Sequence, residues 1–281
     1  MPTRPEPPSS VAARVLSVFE SFSAEHPLRS LSEISRHTGL PLTTAHRLVG
    51  ELAGWGALER DLDGRYRIGL RLWEVASLAP RSVGLRQSAL PFLEDVYEAT
   101  HQHAQLAVLD GHEVVYLERI SSRDAVHVVS RVGGRLPLHA TGVGLVLLAH
   151  ADQAVQEAVL AQPLRRYTAR TISSAAELRR MLADVRRDGY VISDGQIELV
   201  ALSVAAPVHG PNDTVLAALS VVVPAKGSDP HTLVPVVRAA ARGISRVLGA
   251  PSAQHLARSV RRETHGTDDV VTGGPSAQRE S

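Results

Sequence analysis

Thr43, Thr44, His46 and Arg47 fall close together in the sequence. On a helix, positions three and four apart are neighbours, so Thr43, His46 and Arg47 share one face. Threonine hydroxyls can reach phosphate or base edges, and arginine can pair with guanine O6 and N7 or grip a phosphate. Further on, Arg65 and Arg67 flank Tyr66. Alternation along an extended segment puts both cations on one side, suited to backbone or minor-groove contact. The chemistry on offer is recognition of double-stranded DNA, with no bond made or broken.

These residues need particular elements to hold them. Apolar residues Val11, Val15, Leu16, Val18, Phe19 and Phe22 fall at helical spacing, and Pro27 ends that stretch. Ser30 and Glu33 form a capping-box pair opening a second helix. Gly39 stops it, and Pro41 suits the first turn of a third helix that buries Ala45, Leu48, Val49 and Leu52. Two helices crossing sharply need a small residue at the crossing, which Ser35 supplies, and a turn tolerant of positive φ, which Gly39 supplies. Asp63-Gly64 between two short alternating runs predicts a hairpin. Three helices and a hairpin make a winged helix-turn-helix over 11–69, preceded by a disordered arm over 1–10.

A linker helix is predicted over 70–83, starting at Leu70 and closed by Pro80. A second domain over 84–249 alternates helices and strands. Helices are expected near 85–101, 141–150, 152–161, 175–188 and 231–248. Strands are expected at 105–109, 113–120, 125–131, 189–193, 201–208 and 215–223. Antiparallel strands with helices on one face suit this order, so the fold class is α+β. Residues 250–281 lose periodicity and are expected to be a disordered tail.

Composition sets the outer bounds. The 281 residues are 44% hydrophobic, enough for two ordinary domains with proper cores, and include no cysteine. Disulfides, thiolate metal sites and cysteine nucleophiles are thereby excluded. The proline-rich start has no apolar core of a signal peptide, and no apolar run approaches a bilayer span. A cytoplasmic protein without a membrane partner is expected. Net charge is only +1, and residues 1–80 hold nine arginines against nine acidic residues. The case for DNA therefore rests on the placement of charge rather than its sum.

Enzyme signatures are missing. Gly142-Val143-Gly144 lacks the remainder of a dinucleotide fingerprint, there is no G-x-S-x-G elbow, and no carboxylates pair as acid and base. His101 and His103 lack further ligands at metal spacing and read as solvated histidines at a helix end. His139 reads as a satisfied structural imidazole, and Trp55 and Trp73 as packing anchors. No enzyme activity, metal or cofactor is expected.

Three stretches together resemble the IclR family of bacterial regulators. The first runs from Gly39-Leu40-Pro41 through Thr44-Ala45-His46-Arg47-Leu48 to Tyr66-Arg67-Ile68-Gly69. The second runs from Leu106 to Leu117 and on through Arg131-Val132-Gly133 to Leu136-Pro137-Leu138-His139-Ala140-Thr141-Gly142. The third joins Gly189-Tyr190, Ala205-Ala206-Pro207-Val208 and Ala217-Ala218-Leu219-Ser220-Val221. The resemblance implies a GAF/PAS-like effector-binding domain at the C-terminus, a homodimer or homotetramer, and a small organic effector, often a carboxylate or aromatic acid. It implies sequence-specific control of a catabolic operon, by repression or activation.

Carried over by motif, the effector pocket would include Thr141, Gly142, Val143, Ser193 or Asp194, Ser203 and Ser220. Backbone N–H groups at the helix start by Gly142 would suit an anion. Val200, Leu202 and Val222 depart from the family's usual residues and predict a more apolar pocket. The competing reading is a metabolite-binding protein, or an adaptor, whose winged helix serves dimerisation or protein contact. Outward Thr43, Thr44 and Arg47 argue against it, because a dimerisation face would be apolar there.

Overall fold

The computed structural model describes residues 10–23, 25–122, 125, 126 and 128–254. The expected arm lies outside the described residues apart from Ser10, as does the expected tail beyond residue 254. The chain divides into two compact units at Val83/Gly84.

The first unit opens with α1 (Val11–Glu20), α2 (Leu31–Thr38) and α3 (Leu42–Trp55). Ser30 and Glu33 form the capping box that starts α2, and Gly39 ends it with φ of 70°. The Ser35 hydroxyl donates to the Leu40 carbonyl at 2.7 Å, fixing the turn between the two helices. Val18, Ile34, Leu40, Leu48, Val49 and Leu58 are almost fully buried together; such side chains each contribute about 1.5–3 kcal/mol. The wing is β1 (Leu58–Arg60) paired antiparallel with β2 (Tyr66–Ile68). Tyr66 also exchanges both backbone hydrogen bonds with Arg29, a bridge that the sequence did not announce.

The linker differs from expectation. α4 (Leu70–Ala76) stops short, and Pro80 opens the long helix α5 (Pro80–Thr100) instead of closing a helix. A proline lacks only an N–H that the first turn would leave unpaired anyway. None of α4's residues is buried. Trp73 is 67% exposed and Trp55 53%, so neither is a core anchor.

The second unit is one antiparallel sheet in the order β5-β4-β3-β8-β7-β6. Its strands are β3 (His103–Asp110), β4 (Glu113–Ile120), β5 (Arg135–Pro137), β6 (Val191–Asp194), β7 (Ala201–His209) and β8 (Val215–Pro224). The helices are α6 (Gly142–Ala149), α7 (Gln153–Leu160), α8 (Ala175–Asp188) and α9 (Pro230–Val247). They cover both faces rather than one. Ala107, Tyr116, Ala205 and Ala218 pack towards α6 and α8. Leu106, Val204, Ala206, Leu219 and Val221 pack towards α5 and α9. Strands buried on both faces read as continuous apolar runs, and β8 is one.

Two further expectations are corrected. The described residues of 125–131 form no strand; β4 pairs instead with β5, beyond the Gly133-Gly134 turn. Side chains hold the backbone of that segment: His103 Nε2 meets the Val126 carbonyl, Arg119 the Ser130 carbonyl, and Glu198 accepts from Val129 N–H at 3.0 Å. Residues 250–254 belong to the folded unit. Ala250 is fully buried, and the Ser252 N–H and hydroxyl both donate to Asp213.

Candidate functional site

The outer face of α3 carries the residues expected to meet DNA. Thr43, His46 and Arg47 are exposed and Thr44 half-buried, while Ala45, Leu48 and Val49 face the core. Pro41 is the N-cap rather than the first helical residue, and no side chain caps this helix. Its first N–H groups, beside Thr43 and Thr44, therefore remain open to a phosphate. The arginines are not bare. Arg47 pairs with Glu51 at 2.7 Å, Arg67 with Glu59 at 2.8 Å, and Arg65 with Asp61 and Asp63 at 3.3 Å each. All are surface pairs, individually weak. Glu59 also accepts from the Leu70 N–H at 3.0 Å, which ties the wing to α4 and, ahead of Arg67, holds its carboxyl below the usual range.

Arg65 lies in the hairpin turn rather than on β2 and is exposed, as is Arg67, while Tyr66 turns into the core. The wing therefore offers both cations outward. Its tip is Leu62, which is fully exposed between two aspartates.

In the second unit a cavity opens on the α6 side of the sheet. Thr141, Gly142 and Val143 bring the N-terminus of α6 to it; Ser193, Ser203 and Ser220 reach it from β6, β7 and β8. Ser193 stands directly opposite Ser203 in the ladder, and Gln105 opposite Ser220. The Thr141 hydroxyl caps the helix by accepting from Gly144 N–H at 3.2 Å. Gly142 has no room for a side chain, because a Cβ there would press on Ser203 Oγ.

Asp194 is the exception among the expected residues. It does not line the cavity but turns outward to pair with Arg170 at 2.5 Å. Neighbours on a strand point to opposite faces, so Ser193 and Asp194 could not both serve. The expected apolar shift is smaller too. Leu202 packs on the opposite face of the sheet and Val200 is exposed, which leaves only Val222 in the wall.

Several wall residues were not foreseen: Gln105, Tyr116, Ser130, Gln196 and Glu198. Gln105 was the legible one, since a polar residue inside an apolar strand needs a partner when buried. It donates to Ser130 Oγ at 2.8 Å. Among the described residues, no lysine, arginine or histidine lines the cavity. Burial pushes the Tyr116 phenol well above its ordinary pKa, so it remains a neutral hydroxyl. The remaining polarity among the described residues is hydroxyls, the Gln105 and Gln196 amides, the Glu198 carboxylate and the α6 N-terminus. That set is suited to binding and orienting a small molecule, and the described wall residues include no nucleophile–base pair.

His139 and His103 serve structure. His139 is buried with Nε2 2.9 Å from the Arg165 carbonyl, as expected. His103 is not solvated: it is buried on β3, with Nδ1 2.9 Å from Ser121 Oγ. Among the described residues no cluster of histidine and acidic side chains could hold a metal ion, and no helix is long and apolar enough to cross a membrane.

Comparison with known proteins agrees with both units. The IclR helix-turn-helix domain matches residues 11–62, and the bacterial transcriptional regulator IclR C-terminal domain matches residues 78–246. The HTH-type transcriptional regulator XynR of Escherichia coli is 32% identical over 244 residues, covering 85% of this chain and 97% of its own. The Pca regulon regulatory protein of Pseudomonas putida is 29% identical over 212 residues, covering 74% of this chain and 72% of its own. An IclR homolog from Microbacterium hydrocarbonoxydans, solved in complex with 4-hydroxybenzoate, is 45% identical with a TM-score of 0.81. The match covers 85% of this chain and 99% of that one. The chain belongs to the IclR family of bacterial transcriptional regulators.

Proposed function

We propose that this regulator binds its operator through residues 11–69 and answers to a small aromatic acid held in the cavity of residues 84–249. DNA contacts are assigned to Thr43, Thr44, His46, Arg47, Arg65 and Arg67. The observation that carries the effector reading is the pairing of an α6 N-terminus with a hydroxyl-lined wall to which the described residues bring no cationic side chain. A helix N-terminus stabilises an anion without a charged side chain. A carboxylate would sit at Gly142 and Val143, and Ser193, Ser203 and Ser220 would meet the ring's polar substituents. Tyr116, Leu136 and Val143 supply apolar surface for a ring. The 4-hydroxybenzoate complex of the Microbacterium homolog supports that class.

A homodimer or homotetramer in the cytoplasm completes the reading. Leu70, Trp73, Val75 and Leu78 leave a mostly apolar stretch exposed, which a second copy would cover. The regulated genes would degrade the effector or its relatives. Calorimetry with 4-hydroxybenzoate, benzoate and methyl 4-hydroxybenzoate tests the effector class. The free acids should bind and the ester should bind at least tenfold more weakly. Equal binding of acid and ester would remove the anion from the reading. Fluorescence anisotropy against the intergenic DNA beside the gene, at two salt concentrations, tests the operator. Salt-sensitive binding that outcompetes random DNA is expected.

A further inference from the structure

The ladder between β3 and β4 is in register from Asp110↔Glu113 to Ala107↔Tyr116, then shifts, and resumes as Leu106↔Glu118 and Gln105↔Arg119. Leu117 is the extra residue of a β-bulge. A one-residue shift exchanges the faces to which the following side chains point. Tyr116, before the shift, lies on the cavity side. Without the bulge, Glu118 would share that side. With it, Glu118 stands opposite Leu106, whose side chain packs towards α5 and α9. Arg119, opposite Gln105, falls on the cavity side.

The result is a hydrogen-bonded route through the sheet. Gln105 Nε2 donates to Ser130 Oγ at 2.8 Å, and both residues line the cavity. The Arg119 guanidinium donates to the Ser130 carbonyl. The Arg119 backbone N–H donates to Glu118 Oε1 at 2.9 Å. Arg86 Nε donates to Glu118 Oε2 at 2.6 Å. Glu118 is 8% exposed, so its two carboxylate oxygens are committed in opposite directions within the protein. Arg86 stands on α5, less than one turn past the Val83/Gly84 division. A buried carboxylate that loses a partner is strongly destabilised. A displacement at Ser130 therefore cannot be absorbed silently at Glu118; it is passed to Arg86.

We propose that Glu118 is a positioning residue that links the ligand cavity to the start of α5, so that occupancy of the cavity alters the helix by which the chain enters this unit. The proposal rests on reading the cavity as the effector site. Glu118 touches no ligand. It acts through Arg86 on one side and Arg119 on the other. Regulation then requires no contact between ligand and α5, only a change in where the loop bearing Ser130 sits. Demonstrated coupling, not proximity, is what would establish such a route.

The test is a double-mutant cycle in the full-length protein, read by hydrogen exchange of the amides at 84–93. Ser130→Ala should speed exchange there by roughly threefold or more in the wild-type background and by less than about 1.5-fold in the Arg86→Gln background. Arg86 is half-exposed and glutamine keeps a side-chain donor for Glu118, so Arg86→Gln should keep the fold, which circular dichroism checks. Equal increments in both backgrounds, or none in either, would overturn the proposal. A ligand arm uses 4-hydroxybenzoate. It should change exchange at 84–93 in the wild type but not in Glu118→Gln, although both bind it within about threefold by calorimetry. A Glu118→Gln variant that keeps the full response overturns the link. Failure of the wild type to bind 4-hydroxybenzoate overturns the effector assignment instead, and the mutant cycle still decides the coupling.

Discussion

Arg47 Nη1 lies 2.7 Å from Glu51 Oε1, one turn along the outer face of α3, with the two side chains 60% and 63% exposed. An exposed pair of this spacing contributes about 0.3–0.5 kcal/mol. A bidentate arginine–base contact is worth about 1–3 kcal/mol of discrimination. With the proposed base contact, DNA would win the guanidinium from Glu51, and Glu51 would oppose weaker uses of it. Arg47→Ala should weaken operator binding by about 1–3 kcal/mol and relax sequence preference. Glu51→Gln should act the other way, raising affinity for random DNA several-fold and steepening its fall with salt. Anisotropy titrations over a salt series check both. Unchanged affinity in Arg47→Ala removes that residue from the recognition set.

Gly142 and Gly144 look alike in sequence and should fail differently. A Cβ at 142 meets the Ser203 hydroxyl, which can rotate away into the cavity. A Cβ at 144 meets the Leu138 carbonyl and the Thr141 hydroxyl that caps the helix. Gly142→Ala should abolish 4-hydroxybenzoate binding with little change in Tm. Gly144→Ala should cost about 1–3 kcal/mol of stability, as overpacking against fixed atoms does. Parallel calorimetry and thermal melts decide. A Gly142→Ala protein that binds ligand as tightly as wild type would place the ligand away from the α6 N-terminus.

Much of this was legible in the residues. Ser30 and Glu33 announced α2, and Asp63-Gly64 announced the wing turn. Helices on both sheet faces were legible too, in the apolar residues on either side of Ser220 in β8, but the one-face expectation rested on the order of elements alone. The expected strand over 125–131 failed for another reason. Val126, Val128 and Val129 have strand composition, yet side chains from elsewhere in the sequence claim the Val126 and Ser130 carbonyls and the Val129 N–H. Nothing local shows that His103, Arg119 and Glu198 will arrive there. The bulge at Leu117 is equally silent, and it decides which side of the sheet Glu118 serves.

Ser220 tests the separation of the two units' tasks. Its side chain is 1% exposed and stands opposite Gln105 on β3. Leucine at that position fills cavity space and leaves the Gln105 amide facing hydrocarbon. Ser220→Leu should lose the response to 4-hydroxybenzoate while still binding operator DNA within about threefold, since the proposed recognition face draws only on residues 11–69. Loss of DNA binding with an intact circular dichroism spectrum would show that the two tasks are not separable in this way.

Acid should expose one histidine in particular. His209 ends β7 with its ring edge-on to His150, the centroids 6.3 Å apart. Burial first, and then the His150 ring, hold its pKa below the ordinary 6.5, against a smaller opposing pull from Asp213. Above pH 6.5 the imidazole is neutral in both folded and unfolded chains and contributes nothing. As pH falls below that value, the unfolded chain takes up a proton that the fold resists, so stability declines until the lowered folded pKa is reached. The acidic groups with lowered pKa, Glu33, Glu59 and Asp61, lose their contributions only below 4.5 and do not confuse this window. His209→Gln keeps the backbone N–H that donates to Ser245 Oγ at 2.8 Å and removes the titration. Urea midpoints at about pH 7.5 and about pH 5.5 should therefore fall further for the wild type than for His209→Gln. An equal fall in both proteins would mean that His209 titrates alike in the folded and unfolded chain.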